Sequence, residues 1–273
     1  MNWLAVRVTP GAARLQALAA LFEAGSEGVH EAGEELVTHF PGEADGERVR
    51  RAVLAADPDA HVTLTIIPAV DWAQEWKKGV RAHELGRLSI VPPWLAEGRD
   101  PATTIIIEPQ MAFGTGEHET TRGVVRLLAN VIRLGDRVAD VGCGSAVLSI
   151  AAIKLGAAHV VGIEIDHDSI ENAHENIERN GVADRVMIFE GDANVFLPIV
   201  APVRVVLANI ISTVLLEMLP MIESSLTPDG EAILSGMLLD EREMMRGEFE
   251  DAGWDVIAED VEGLWWSARV AHR

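Results

Sequence analysis

Hydrophobic and polar positions in the first 67 residues repeat with the periods of short strands and two helices. Residues 2–9 alternate and are rich in strand-forming side chains, and apolar residues at helical spacing then lead up to Gly25. Further elements are predicted as strands at 27–31, 35–40 and 61–67 and a helix at 44–56. The order β-α-β-β-α-β is typical of a ferredoxin-like α+β fold. We therefore expect a small domain over residues 1–67.

Residues 68–102 follow neither period for long, and we interpret them as a linker. Trp72 and Trp76 are four residues apart and would share one face of a helix, where packing against a domain is the interpretation we favour. The run Pro92-Pro93-Trp94 and the polar stretch before Pro101 indicate turns.

From residue 103 to residue 273, apolar strands alternate with amphipathic helices. Strands are predicted at 104–107, 137–141, 159–163, 185–189, 203–208, 231–235, 254–260 and 264–270, and helices at 118–132, 146–155, 168–180, 213–225 and 239–252. This repeat of β-α units indicates an α/β domain with a mostly parallel sheet. Only Glu262-Gly263 separates the last two strands, so we expect a C-terminal antiparallel hairpin.

Composition and charge narrow the classes of function. The formal net charge is -21, which repels a phosphate backbone and argues against direct nucleic-acid binding. The same charge either favours a basic partner or serves solubility alone. No apolar run approaches the roughly 20 residues of a membrane span, and the amino terminus lacks the apolar stretch of a signal peptide. We expect a soluble, cytoplasmic protein without a membrane partner.

A glycine turn follows the strand at 137–141. Gly142 and Gly144 let the backbone approach a ligand closely, and the start of the next helix offers free N–H donors. Asp140 precedes the glycines, and Glu164 ends the next strand 22 residues after Gly142, where an acid binds a ribose diol in doubly wound folds. Asp192 follows the third strand and either faces an adenine edge or caps a turn.

Spacing decides which nucleotide-like cofactor fits this turn. The dinucleotide pattern GxGxxG requires a glycine where Val147 stands, and a phosphate-binding GxxxxGK loop is absent. A ligand with a ribose but no phosphate fits better, which indicates S-adenosylmethionine or a relative. Its positively charged sulfonium and amino groups suit a site that holds Asp140 and Glu164.

Residues 118–122 begin like the zinc-binding motif HExxH but do not complete it. His118-Glu119 begins the pattern, but Arg122 stands where the second histidine is required. The single cysteine, Cys143, can form neither an intramolecular disulfide nor a structural zinc site. We expect no bound metal.

Asn209 is the candidate catalytic residue. It lies at the carboxyl end of a predicted strand, where ligands of open α/β sheets bind, and its side chain can accept a hydrogen bond from an incoming amine. Methyl transfer needs mainly positioning and desolvation, and we identify no required general base. The segment Asn209-Ile210-Ile211-Ser212 carries no aromatic residue to stack on a flat acceptor, which favours a flexible aliphatic amine.

The loop before the helix at 118–132 supplies the remaining candidates. The two glycines of Phe113-Gly114-Thr115-Gly116 allow the loop either to close over a cofactor or to form a rigid turn. Thr121 lies where this loop enters the helix, so its hydroxyl either caps the helix or reaches the carboxylate of the methionine moiety.

These motifs together resemble the seven-strand class of S-adenosylmethionine-dependent methyltransferases. The stretch from Glu108 to Thr121, with the sequence EPQMAFGTGEHETT, resembles the signature of the PrmA family, as do DWAQEWK, DVGCGS and Asn209-Ile210. These enzymes methylate protein eleven of the large ribosomal subunit. The resemblance implies a seven-stranded Rossmann-like sheet with a C-terminal hairpin, an N-terminal substrate-recognition domain, and lysine side chains and the α-amino group as acceptors.

The resemblance also assigns site residues. Thr121, Gly142, Glu164 and Asn209 occupy the family's cofactor-contacting positions, and our candidate cofactor site adds six neighbours: Asp140, Gly144, Asp192, Phe113, Gly114 and Thr115. Two positions depart from the family pattern, because Ala146 replaces the third glycine of the turn and Glu164 replaces an aspartate. We expect cofactor binding to survive both changes, and we expect a monomer.

Two other hypotheses stay open at this stage. A methyltransferase acting on RNA or on a glutamine side chain would share the cofactor site, although the net charge and the missing aromatic residue after Asn209 argue against it. A non-catalytic binding module would share the fold, although the intact set Gly142, Glu164 and Asn209 argues against that hypothesis.

Overall fold

The described parts of the chain form two compact units. The computed structural model of the protein describes residues 2–67, 79–109 and 113–273. The chain divides into Met1–Gly79 and Val80–Arg273. The expectations for Trp72 and Trp76, and for Gln110 to Ala112 in the signature loop, lie outside the described residues.

The N-terminal unit has the predicted β-α-β-β-α-β order. Its elements are β1 (Trp3–Thr9), α1 (Arg14–Glu23), β2 (His30–Ala32), β3 (Glu35–Pro41), α2 (Gly46–Ala56) and β4 (His61–Ile67). The sheet order is β2-β3-β1-β4 and every pair is antiparallel, which is the arrangement of a split β-α-β fold. Alternate residues of β1, among them Val6 and Val8, are fully buried against both helices. Asp45 caps α2 by accepting a hydrogen bond from the amide of Arg48.

The larger unit is built on a mixed seven-stranded sheet. Its strands are β8 (Arg137–Val141), β9 (His159–Glu164), β10 (Val186–Glu190), β11 (Val203–Asn209), β12 (Leu226–Leu238), β13 (Trp254–Glu262) and β14 (Trp265–His272). Their order is β10-β9-β8-β11-β12-β14-β13. The first five strands are parallel, and β14 pairs antiparallel with both β12 and β13. The predicted C-terminal hairpin is therefore confirmed.

Helices cover both faces of this sheet, and each face has its own apolar core. They are α3 (Glu119–Leu128), α4 (Val147–Leu155), α5 (His167–Arg179), α6 (Ala193–Val200), α7 (Ser212–Ser225) and α8 (Arg242–Asp251). The first three pack on one face, and the last three pack on the other. The pattern of the sequence did not predict α6, because the helix is short and contains Pro198. No helix in the described ranges is long and apolar enough to cross a bilayer.

A second, three-stranded sheet belongs to the larger unit. It consists of β5 (His83–Leu85), β6 (Leu88–Val91) and β7 (Thr104–Ile106) in the order β5-β6-β7. The strand predicted at 104–107 thus pairs in this small sheet and not in the large one. Residues 80–102, which the sequence assigns to the linker, pack with the larger unit, because Leu88 and Ile90 are buried in the same core as α4.

The strand order reverses direction at β8, whose neighbours are β9 and β11. Ligands of open α/β sheets bind outside the carboxyl ends of strands at such a switch point. Glu164 and Asn209 end the two neighbouring strands, and the glycine turn follows β8 directly.

Candidate functional site

The glycine turn folds tightly against its neighbours. Gly142 and Gly144 have φ angles of 67° and 50°, in the left-handed region that favours glycine. A Cβ on Gly144 would lie 2.5 Å from the carbonyl oxygen of Phe113, and one on Gly142 would lie 2.8 Å from the Ile210 side chain. Both glycines are therefore required by close approach as well as by backbone angle.

Ala146, at the position of the family's third glycine, also has a left-handed backbone. Its φ angle is 64°, and among the described residues it is the one non-glycine residue with a positive φ. The residue is fully buried and immediately precedes α4. The substitution thus preserves the turn, but it places a Cβ in a backbone conformation that L-residues disfavour.

The backbone N–H groups of residues 142–146 are paired within the protein, whereas the free donors expected at the start of the following helix stay a prediction. The amides of Gly142 and Cys143 donate to the carbonyl of Ile163, and the amide of Ala146 donates to that of Cys143. Such a turn does not present a row of donors to a phosphate, in keeping with a ligand that has none.

Glu164 connects the end of β9 to the glycine turn. Its Oε2 accepts from the amide of Gly144 at 2.8 Å, and its Oε1 accepts from the amide of Asp166 at 2.9 Å. The side chain is buried. Each carboxylate oxygen has a second lone-pair direction, so these bonds leave acceptor capacity for ligand hydroxyls.

Asp140 lies beneath the turn and is fully buried. Its Oδ2 accepts a hydrogen bond from Ser149 Oγ at 2.6 Å, while Oδ1 has no partner among the described residues. Burial raises the pKa of Asp140 to about 7, the hydrogen bonds from Ser149 lower it, and the charge of Glu164 raises it further. The site therefore contains a carboxyl group with unused acceptor capacity.

Ser145 joins the glycine turn to the loop that precedes α3. Its amide donates to the carbonyl of Phe113 at 3.0 Å, and its Oγ donates to the carbonyl of Gly114 at 2.7 Å. Its own carbonyl accepts from Nδ2 of Asn176, whose Oδ1 accepts from the amide of Glu108. Hydrogen bonds thus attach the described ends of the signature loop, on both sides of residues 110–112, to the turn or to α5.

His118, and not Thr121, caps the start of α3. The His118 side chain accepts from the amide of Thr120, so the interpretation of Thr121 as the cap is wrong. Thr121 is fully buried, and within the described ranges its Oγ1 has no hydrogen-bond partner. A buried hydroxyl without a partner is unfavourable unless a ligand or water satisfies it.

A cavity of about 170 Å³, which we call the Gly142 cavity, opens at the carboxyl ends of β8 to β11. Its wall is mostly apolar and includes Gly142, Ile163 and Ile210. Asp192 also lines it, and Oδ1 of this residue caps α6 by accepting from the amide of Asn194 at 2.8 Å. The cap predicted as one role for Asp192 is therefore present, and an adenine contact stays a prediction.

A second cavity of about 230 Å³, the Asn209 cavity, adjoins the first through Ile210, which lines both. Asn209 and three rings line it: Phe113, His118 and Trp265. The His118 ring lies 5.2 Å from the Phe113 ring and 4.9 Å from the Trp265 ring, and both pairs are inclined rather than stacked. An apolar, aromatic-walled pocket with one amide is suited to a small aliphatic cation or amine.

Sequence reasoning missed two of these rings. His118 entered only as part of a failed zinc motif, and Trp265 only as part of the last strand. Aromatic groups do therefore lie beside Asn209, although none follows it in the chain, so the missing aromatic residue does not by itself exclude a flat acceptor. Thr115 accepts from the amide of Glu117 within its own loop.

Comparisons with known proteins agree with this architecture. A family model described as Ribosomal protein L11 methyltransferase (PrmA) matches residues 8–273. The ribosomal protein L11 methyltransferase of Pelotomaculum thermopropionicum is 37% identical over 232 residues, which are 81% of this chain and 75% of that protein. The protein of the same name from Synechococcus sp. is 36% identical over 203 residues, 72% of this chain and 67% of that one.

A solved structure is similar as well. The ribosomal protein L11 methylase from Lactobacillus delbrueckii subsp. bulgaricus aligns with a TM-score of 0.62 at 28% sequence identity. The alignment covers 71% of this chain and 99% of that chain.

Proposed function

Because this chain belongs to the PrmA family of ribosomal protein L11 methyltransferases, we propose that it transfers methyl groups from S-adenosylmethionine to amino groups of ribosomal protein L11. The acceptors are lysine side chains and the α-amino group. The observation that carries the proposal is the pair of adjoining cavities at the switch point of the sheet, one beside Gly142 and the other beside Asn209.

The glycine turn and polar groups of the segments near it fit the cofactor. Glu164 has remaining acceptor capacity for the ribose hydroxyls, and Gly142 permits close approach of the backbone. The hydroxyl of Thr121 and Oδ1 of Asp140 are buried polar atoms without a partner in the described chain, as expected where a polar ligand completes the bonding. The bound cofactor supplies an electrophilic methyl group that is already activated by the adjacent sulfonium.

Asn209 and the three rings would orient the acceptor. The amide oxygen of Asn209 accepts a hydrogen bond from a neutral amine and thereby directs the nitrogen lone pair. The rings Phe113, His118 and Trp265 exclude water and attract the positive charge of the methylated product. Because the amine can lose its proton to solvent before it binds, this scheme requires no general base.

The remaining assignments follow from charge and family. Residues 1–67 would recognise the substrate, and the larger unit, Val80–Arg273, would bind the cofactor and catalyse transfer. The net charge of -21 favours encounter with a basic ribosomal protein and disfavours direct contact with nucleic acid. We propose a cytoplasmic monomer.

The direct test uses labelled S-adenosylmethionine with purified large-subunit ribosomal proteins, added one at a time, and with ribosomal RNA in a separate reaction. We expect label on protein L11, and mass spectrometry should locate it on lysine side chains and the α-amino group. Label on RNA or on a glutamine side chain would overturn the proposal. A chain that does not bind the cofactor in calorimetry would be a non-catalytic module.

A further inference from the structure

Arg122, the residue that interrupts the zinc-like pattern, occupies a buried position on α3 between two other segments. Its Nη1 donates to the carbonyl oxygens of Gly116, at 3.3 Å, and of Glu117. Its Nε and Nη2 both donate to Oε1 of Glu262, at 2.9 and 2.6 Å. One guanidinium therefore joins the loop before α3 to the C-terminal hairpin, which lies 140 residues away in sequence.

Each of the two segments that Arg122 joins supplies a ring that lines the Asn209 cavity. His118 follows Glu117 in the loop, and Trp265 begins β14 shortly after Glu262. Their rings meet edge to face at 4.9 Å. The relative position of these rings therefore depends on how the loop is held against the hairpin.

We propose that Arg122 is a positioning residue for methyl transfer, which holds His118 and Trp265 at a fixed separation beside Asn209. The inference rests on the proposed function. Arg122 lines neither of the two cavities and acts through the residues it holds.

The geometry requires a guanidinium in particular. The planar fork of arginine has five N–H donors, and here it serves two backbone carbonyls on one side and a carboxylate on the other. A lysine ammonium at the same place is a compact charge with a different donor geometry, so it can satisfy only part of this set.

Arg126 provides a matched control on the next turn of α3. It donates to Oε2 of the same Glu262 at 2.7 Å and to both oxygens of Asp260 at 2.7 and 2.5 Å. In the described chain it donates to no carbonyl of the loop before α3. Arg126 therefore stabilises the same hairpin without holding His118.

The experiment measures steady-state methylation of ribosomal protein L11 by the full chain, with cofactor affinity from calorimetry. For Arg122→Ala we expect kcat to fall about 10- to 100-fold, as is typical when reacting groups are misplaced by about 1 Å. The KM for the protein and the cofactor Kd should stay near the wild-type values, because Arg122 lines neither cavity. Arg126→Ala should keep a kcat close to that of the wild type, even if its melting temperature falls as much as that of Arg122→Ala.

Two further variants keep the test decisive if Arg122→Ala folds poorly. Arg122→Lys should recover part of kcat, and Glu262→Gln, which keeps an acceptor but removes the charge, should lose part of it. An unchanged kcat in the Arg122 variants would overturn the inference, and so would an equal loss in Arg126→Ala. The wild-type chain is assayed in a separate reaction. Absence of any methylation there would contradict the proposed function and not the inference about Arg122.

Discussion

Ser149 Oγ donates a 2.6 Å hydrogen bond to Oδ2 of Asp140, and it is the only side chain among the described residues that does so. The other oxygen, Oδ1, is buried and has no hydrogen-bond partner in the described ranges. A single hydroxyl and a helix amide do not offset the desolvation of a fully buried carboxylate, and the pKa of Asp140 is therefore raised from 3.8 to about 7. Between these two pKa values, the folded protein holds a proton at Asp140 that the unfolded chain has already released.

This proton makes stability depend on pH. A raised pKa means that the folded state binds more protons than the unfolded state between about pH 4 and pH 7, so the Asp140 contribution to the free energy of unfolding falls as the pH rises through that window. Asp140→Asn should remove this contribution. Urea unfolding of the cofactor-free protein at several pH values measures it as the difference between the two curves. Parallel curves for wild type and variant would contradict the raised pKa.

Ala146 stores backbone strain at the turn. With φ at 64°, its Cβ faces a steric cost of roughly 1–2 kcal/mol that glycine does not have. Ala146→Gly should raise the free energy of unfolding by about 1 kcal/mol, after the greater flexibility of glycine in the unfolded chain is counted. Ala173→Gly is the control, because Ala173 is equally buried but lies inside α5, and there glycine should lower stability by about 1 kcal/mol. Denaturant titration measures the change in the free energy of unfolding for both variants. A change of the same sign in the two would refute the strain at Ala146.

The site residues that the sequence predicts are those whose positions depend on where one strand ends. A buried parallel strand is a nearly continuous apolar run, so the ends of β8, β9 and β11 are readable, and with them Asp140, Glu164 and Asn209. His118 and Trp265 are different, because their contact depends on β14 lying between β12 and β13. Strand order is a property of the whole sheet, and no local period of the sequence contains it.

Hydrogen-bond partners are hidden from the sequence for the same reason. The glycine spacing predicts a turn, but the pairing of its amides depends on Ile163 and the Glu164 carboxylate at the end of β9 and on Phe113 in the loop before α3, which are two other segments. Pro198 and the short length concealed α6, since a proline ordinarily ends a helix.

Glu164 holds the glycine turn through the Gly144 amide and is the proposed acceptor for the ribose hydroxyls, and one substitution would remove both interactions. Glu164→Ala should weaken binding of S-adenosylmethionine by about 1–3 kcal/mol, because ribose hydroxyls lose a buried acceptor and Gly144 loses its partner. Calorimetry measures the change as roughly a 5- to 150-fold rise in Kd. Glu164→Gln keeps one acceptor oxygen and should fall between the alanine variant and the wild type.

Glu231 is the matched control for this measurement. It is buried to the same degree, with 8% of its surface exposed, but it lies on β12 and pairs with Arg269 and Arg204. Glu231→Ala should lower the free energy of unfolding and leave the cofactor Kd unchanged. Unchanged affinity in Glu164→Ala would refute the ribose contact.

Asn176 and Asn180 separate loop positioning from general stability. Asn176 accepts from the Glu108 amide at 3.0 Å and donates to the Ser145 carbonyl at 3.2 Å, whereas Asn180 makes the corresponding pair of bonds to Ile106 at 2.9 and 2.7 Å. Either alanine variant removes two hydrogen bonds to buried or partly buried backbone groups and should cost about 2–3 kcal/mol of unfolding free energy. Only Asn176→Ala releases the glycine turn, so it alone should also raise the Kd for S-adenosylmethionine. Denaturation and calorimetry on both variants make the comparison, and a Kd that rises equally in the two would show that α5 supports the site only through stability.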